Sequence, residues 1–246
     1  MTRRRWIADE VSGDTAALVG EHAAHLARVL RAEVGQEFDI VAGDAIRVGT
    51  VTAIRDDRVE FALGERQAVK AAPRVTLALA VFKFDRMEWA IEKCTEIGAA
   101  RIVPVIARRT DSHLAAAALK RQERWQRVVR QASEQSRRAS IPEIAVPVKL
   151  KDLDGAIGLP GAETPRIVLA ENLMESDEGT GLRETLQSRS TGGEVVLAIG
   201  PEGGWADEEL AWFRDSGWIA ASLGETILRA ETAAIVACAL AIDALR

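Results

Sequence analysis

The sequence predicts an α/β protein, a parallel sheet covered on both faces by helices and preceded by a small, mostly β module. Three observations predict it. From Arg74 onward, short apolar runs alternate with helix-like stretches, the pattern of a parallel sheet. Before Lys70-Ala-Ala-Pro73 the apolar runs are short, β-branched and broken by Gly-Asp and Asp-Asp pairs. In the last quarter an apolar run ends in a glycine turn twice, at Gly200-Pro-Glu-Gly-Gly204 and at Leu223-Gly-Glu-Thr-Ile-Leu-Arg229.

Taken in order, residues 15–32 read as a helix, with Leu18, His22, His25, Leu26, Val29 and Leu30 near one face. Strands follow at 38–43, 46–54 and 58–63, which together suggest a compact barrel over residues 1–70. Lys70 to Pro73 reads as a linker, and a second domain is expected over 74–246. Its first strand covers 75–82, and a helix over 85–97 closes at Gly98, a residue suited to a helix C-terminus. A strand over 102–106 leads to a long basic helix, 119–138, which must stop before Pro142. Strands at 166–170, 194–199 and 219–223 alternate with helices over 207–216 and 231–245.

At 246 residues the chain can bury a sizeable core. Arg3-Arg-Arg5 is followed by Trp6, Ile7 and Ala8 and then by acids, so no secretory signal is read there. The apolar run 233–242 is too short to cross a bilayer, and a cytoplasmic protein with no membrane contact is expected. Cys94 and Cys238 lack metal-ligand spacing and read as reduced core residues. No metal cluster and no nucleophile elbow is visible, and His22, His25 and His113 form no constellation.

Charge is segregated. Residues 101–151 hold 12 Lys+Arg against 4 Asp+Glu, whereas 152–246 hold 6 against 17. On the basic helix, Lys120, Arg121, Arg124, Arg127 and Arg130 have little acidic company beyond Glu123, and Arg137 and Arg138 follow. Clustered bases of this kind mark phosphate-backbone surfaces, although a charge run also serves simply as a solvated face. Arg3, Arg28 and Arg31 extend the same surface.

The first glycine turn has neither dinucleotide-binding nor P-loop spacing. The helix behind it opens with Asp207, Glu208 and Glu209, which suit a helix dipole but repel phosphate, so a cationic or zwitterionic ligand is expected. The turn also reads as plain connection. At the second turn two readings stand: Arg229 pairs with an acid beside an ordinary helix start, or the backbone 223–228 wraps an apolar ring and Arg229 points at substrate.

Ile199 to Trp205 together with Leu223-Gly-x-x-Ile-Leu-Arg-x-Glu-Thr-Ala233 resembles the RsmE family, the ribosomal RNA uridine-N3 methyltransferases of the SPOUT superfamily. Lys83-x-Asp-Arg86, Lys93-x-Thr-Glu-x-Gly98, Glu134-Gln-Ser-x-Arg138 and His25-Leu-Ala-Arg-Val-Leu-Arg31 extend the resemblance along nearly the whole chain. It departs at Arg137, where glycine is common, at Ala206, where serine is frequent, and at Glu225 and Thr226. The resemblance implies a PUA-like β-barrel, a SPOUT methyltransferase domain with a C-terminal trefoil knot, and a homodimer. Its implied cofactor is S-adenosylmethionine, held by Leu169, Ala170 and Glu171, by Ile199, Gly200, Pro201, Glu202, Gly203 and Gly204, and by Leu223, Gly224, Ile227 and Leu228. Its implied substrate is 16S rRNA, within the small ribosomal subunit or a late precursor, gripped by Arg3, Arg28, Arg31, Lys83, Arg124 and Arg138. Arg229 is the expected stabiliser of the uridine anion, and Glu231, ahead of Glu171, the expected base. The competing expectations are methylation of another rRNA or tRNA nucleotide, and a non-catalytic RNA-binding assembly factor.

Overall fold

The computed structural model describes residues 5–43, 45–67, 72–158, 164–170, 180–189 and 193–246. Two compact units emerge, one comprising 1–71 with 133–140 and the other 72–132 with 141–246.

In the first unit six strands are ordered β1-β4-β5-β6-β3-β2. They are β1 (Arg5–Ile7), β2 (Glu10–Ser12), β3 (Thr15–Val19), β4 (Glu37–Ala42), β5 (Ala45–Arg55) and β6 (Arg58–Gln67). β1 runs parallel to β4 and the other pairings are antiparallel. β1 and β2 lie at opposite ends of this order yet are separated in sequence only by Ala8 and Asp9, which bond to Val41 and Ala17. The sheet must therefore curl until its ends approach, and it forms a half-barrel. Register shifts between β5 and β6 at Arg47/Gly49 and Val51/Ala53 supply the added twist. Inward residues Leu18, Ile40, Val59 and Phe61 build its core.

The helix expected over 15–32 is replaced by β3 and a short α1 (Glu21–Ala24) that runs into a π-helical turn, His25–Val29. Gly20 at φ 60 separates strand from helix. Ala16-Ala-Leu18 suits a helix locally, but pairing with β6 buries it, and tertiary burial outweighs propensity.

In the second unit seven strands form a parallel sheet, β10-β8-β7-β12-β11-β13 with β9 on β8. These are β7 (Arg74–Ala80), β8 (Arg101–Ile106), β9 (Glu143–Ile144), β10 (Val148–Lys149), β11 (Arg166–Leu169), β12 (Glu194–Ile199) and β13 (Ile219–Ala221). The helices are α2 (Phe84–Ile97), α3 (Ser112–Gln135), α4 (Leu153–Ile157), α5 (Leu182–Arg189), α6 (Asp207–Asp215) and α7 (Ala230–Ala244). Burial on both faces explains the near-continuous apolar strands. One core packs α2, α3, α5 and α7 through Met87, Ile91, Trp125, Leu186 and Ala234. The other packs α4 and α6 through Leu153, Phe213, Trp205 and Trp218. Small residues let α2 and α7 approach closely, with Cys238 Sγ 3.8 Å from the Cys94 carbonyl oxygen. Both cysteines are free and buried.

The basic helix starts earlier and ends earlier than expected, at 112 and 135. Arg137 sits at φ 56, the left-handed conformation that favours glycine. Its carbonyl accepts a hydrogen bond from Arg5 Nη1, which ties this turn to β1. Residues 171–179 lie outside the described residues.

Candidate active site

The strand order reverses between β7 and β12, since the chain steps from β7 to β8 on one side and places β11 and β13 beyond β12. Ligands of open α/β sheets sit at such a switch point, beyond the carboxyl ends of the strands. A cavity of about 570 Å³ opens there, against Leu169 and Ala170 after β11, Ile199 to Trp205 after β12, and Ala221 to Arg229 after β13. Its size falls within the usual range for small-molecule sites, about 300–1,000 Å³. Every expected cofactor residue that is described lies on this wall; Glu171 lies outside the described residues.

The first turn is fixed in place. Gly204 N donates to the Pro201 carbonyl at 2.8 Å, and Arg109 Nη1 donates to the Gly203 carbonyl at 2.8 Å. The Trp205 indole lies directly behind Gly200, where a Cβ would meet Nε1 at 3.2 Å. Any larger residue at 200 must displace that ring or move into the cavity. Trp205 in turn packs edge-on to Phe213, with centroids 4.9 Å apart.

The acidic start of α6 has a different use from the one expected. Ala206 occupies the N-cap, and its N–H donates to Glu209 Oε2 at 2.9 Å, while Glu209 Oε1 accepts from Arg108 N at 2.8 Å. Glu208 pairs with Arg108 at 2.8 Å. Both carboxylates are committed to the loop after β8 and do not line the cavity. The charged groups on the wall are Arg86, Arg109, Arg229, Glu202 and Glu225. The wall therefore offers both signs, which suits a zwitterion rather than a simple cation.

Arg229, the N-cap of α7, is exposed on the wall and has no ion pair or hydrogen bond from its side chain among the described residues. Among the described residues no acid pairs with Arg229, and both readings of this residue stay open. Glu231, in the first turn of α7, is buried and does not line the cavity, and its Oε2 has no partner among the described residues. Its Oε1 lies 3.7 Å from Arg86 Nη1, and Glu202 Oε1 lies 3.4 Å from the same nitrogen. Arg86 and Arg109 were not singled out as site residues by sequence. Arg86 stood inside the Lys83-x-Asp-Arg86 motif, whereas Arg109 carried no signal.

The expected RNA-binding residues divide between the units. Arg28, paired with Asp56 at 3.6 Å, the left-handed and exposed Arg31, and Arg138, whose Nε donates to the Ser140 carbonyl, belong to the first. Lys83, at the start of α2, and Arg124, 3.2 Å from Glu88, belong to the second. Arg121 also pairs with Glu88, and its guanidinium lies 4.5 Å from the Phe84 ring centre. Part of the basic face of α3 is thus compensated by α2, across a gap in sequence. Arg3 lies outside the described residues. No group of three or more metal-ligating side chains occurs among the described residues.

Comparison with known proteins matches this site to a family. The RNA methyltransferase domain family matches residues 70–242. A ribosomal RNA small subunit methyltransferase E of Synechocystis is 32% identical over 94% of this chain and 74% of its own length. The protein of that name from Mycobacterium bovis is 33% identical, over 92% of this chain and 85% of its own. The chain belongs to the ribosomal RNA small subunit methyltransferase E family. Its fold is similar to that of the Neisseria gonorrhoeae member solved bound to S-adenosyl methionine, with a TM-score of 0.80 and 27% identity, covering 97% of this chain and 96% of that one. A Legionella pneumophila methyltransferase solved with the same cofactor gives 0.79 and 27%, covering 100% and 97%. The expected fold class, α/β with a SPOUT-type parallel sheet behind a small β unit, holds.

Proposed function

We propose that this protein uses S-adenosylmethionine to methylate N3 of one uridine in small-subunit (16S) ribosomal RNA. The observation that carries this reading is the cavity built from both glycine turns at the switch point, in a chain whose relatives of like fold were solved with that cofactor. The residues present fit it. Backbone and apolar side chains of Leu169, Ile199, Leu223, Ile227 and Leu228 suit an adenosine, and the mixed charges suit an amino-acid moiety. Gly200, pressed against Trp205, leaves its backbone face clear for close approach.

When bound, S-adenosylmethionine supplies an electrophilic methyl on a positively charged sulfur that departs as a neutral thioether. The chain's own groups then have three tasks: to align the nucleophile, to exclude water and to handle one proton. Uracil N3 carries that proton and becomes a nucleophile as it is lost. Arg229, on the wall and without a partner among the described residues, donates hydrogen bonds to the carbonyl oxygens over which the negative charge spreads. Glu231, 3.7 Å from Arg86 of the wall, is the proposed acceptor of the N3 proton. The nitrogen electron pair forms the new N–C bond.

Arg28, Arg31 and Arg138, with Lys83 and Arg124, supply a sequence-independent grip on the phosphate backbone, so RNA affinity falls steeply with salt. The half-barrel, residues 1–70 in this reading, acts as a PUA-like RNA-binding domain, and 74–246 as the methyltransferase domain. A homodimer acting on 16S rRNA in the cytoplasm completes the proposal; no helix among the described residues is long and apolar enough to cross a membrane.

The deciding experiment is nucleoside mass spectrometry of small-subunit RNA from a deletion strain, with and without this gene restored. Loss and recovery of 3-methyluridine is expected. Loss of a different methylated nucleoside would transfer the activity to another nucleotide, and an unchanged profile with no cofactor uptake would make the protein a binding factor.

A further inference from the structure

The arginines that line the cavity are answered in different ways. Arg86 faces carboxylates, Glu202 at 3.4 Å and Glu231 at 3.7 Å. Arg109 meets only a neutral group. Its Nη1 donates to the Gly203 carbonyl at 2.8 Å, and its other nitrogens make no hydrogen bond or ion pair among the described residues. With the Arg86–Glu202 pair set aside, the wall carries Arg109 and Arg229 against one carboxylate, Glu225. S-adenosylmethionine brings one more positive charge than negative, so it does not remove this excess. An anion from the substrate would.

Arg109 is exposed and yet held in place. Its stem lies over Gly203, where a Cβ would meet Arg109 Cδ at 3.5 Å. The loop that carries it is fixed by Thr110, whose Oγ1 donates to the Val81 carbonyl at 3.1 Å and accepts from Ala107 N at 3.2 Å. A free surface arginine loses rotamer freedom when it takes up a ligand. Here that freedom is already restricted, and the rest of the planar fork is open to an oxyanion. A base that enters such a cavity leaves its own phosphates at the mouth, since only the base is extruded.

We infer that Arg109 is an RNA-binding residue of the cavity rim, which takes a phosphodiester next to the target uridine. The inference rests on the reading of this cavity as the place where a uridine is methylated. The competing role is a brace, in which Arg109 pins Gly203 and supports cofactor binding alone.

The two roles separate in a comparison of Arg109→Gln, which removes the charge, with Arg109→Lys, which keeps it. Affinity for small ribosomal subunits from the deletion strain is read by filter binding over a range of monovalent salt at fixed magnesium. Cofactor affinity is read by calorimetry with S-adenosylmethionine. Arg109→Gln is expected to raise the Kd for subunits on the order of tenfold, with cofactor Kd changed less than about threefold. The slope of log affinity against log salt becomes shallower by about 0.7–0.9, the share of one phosphate contact. Arg109→Lys keeps the wild-type slope and recovers part of the affinity, because a point charge remains without the fork. Retained cofactor binding shows that each variant is folded. If Arg109→Gln weakens cofactor binding and leaves the salt slope at its wild-type value, Arg109 is a brace and the inference fails. A flat salt response in the wild-type protein would instead remove the phosphate grip of the proposed function, and this inference with it.

Discussion

The two glycine turns that enclose the cavity are held to very different degrees. Gly200 to Gly204 is bonded within itself, pinned by Arg109, backed by Trp205 and followed by a helix whose N-cap is locked by Glu209. Leu223 to Leu228 makes no backbone hydrogen bond among the described residues, and Gly224 to Ile227 are exposed, Ile227 at 79%. Unused backbone donors and acceptors are groups a ligand can satisfy. The first turn is therefore a preformed bed, and the second is expected to tighten when a ligand meets those groups, with the ordering cost falling at that moment. The proposed chemistry sits on the second, at Arg229, where the chain leaves the turn and enters α7.

That contrast is most exposed to a pair of truncations. Trp205→Ala removes a buried ring from beneath the first turn and is expected to cost about 3–5 kcal/mol of stability. Ile227→Ala on the second turn changes stability by no more than about 0.5 kcal/mol, while weakening cofactor binding. Denaturant unfolding with and without S-adenosylmethionine checks both, and equal losses of stability would remove the distinction.

Arg229→Ala comes next. Loss of a fixed donor at a developing anion lowers kcat by about 10²–10³, measured as single-turnover methylation at saturating cofactor. Cofactor affinity is expected to move far less, because Arg229 answers the RNA base. Unchanged single-turnover rates would return Arg229 to the role of a helix N-cap.

Smaller again is the change in amide exchange. Amides of Leu223 to Leu228 should slow on the order of tenfold or more when the cofactor binds, and those of Gly203 to Trp205 much less. Equal protection of the two turns would mean that both are ordered beforehand.

How much of this was legible depends on whether a feature is local. The strand over 194–199 was read with its observed limits and the helix before Gly98 with its observed end, because an apolar run and a terminal glycine need no distant partner. The residues lining the cavity were read through two motifs that together are specific. Of the helix expected over 15–32, residues 15–19 were misread, since only the pairing of β3 with β6 makes a strand of Ala16-Ala-Leu18. The acids at 207–209 were read as facing a ligand, and nothing near them in sequence announces that Arg108 arrives from β8 to take two of them. Arg86 and Arg109 escaped for the same reason. Their partners, Glu202, Glu231 and Gly203, lie about a hundred residues away or more, and no spacing rule reaches so far.

The smallest expected effect tests where the looseness of the second turn stops. α7 begins one residue after that turn and carries Cys238 against Cys94 of α2 in the shared core. The Cys238 sulfur beside it, and then burial, hold the Cys94 thiol well above the usual thiol range. A raised thiol pKa means little thiolate, the reactive form, at any pH below that range. At pH 8 an aromatic disulfide reagent should therefore spare Cys94, and burial alone should spare Cys238, in the native protein with or without cofactor, while both are labelled after unfolding. If the free protein reacted and the cofactor-bound protein did not, the loosening expected of the second turn would extend into α7. The boundary drawn at Arg229, between a turn expected to tighten on the ligand and a helix already in place, would then have to move into the core.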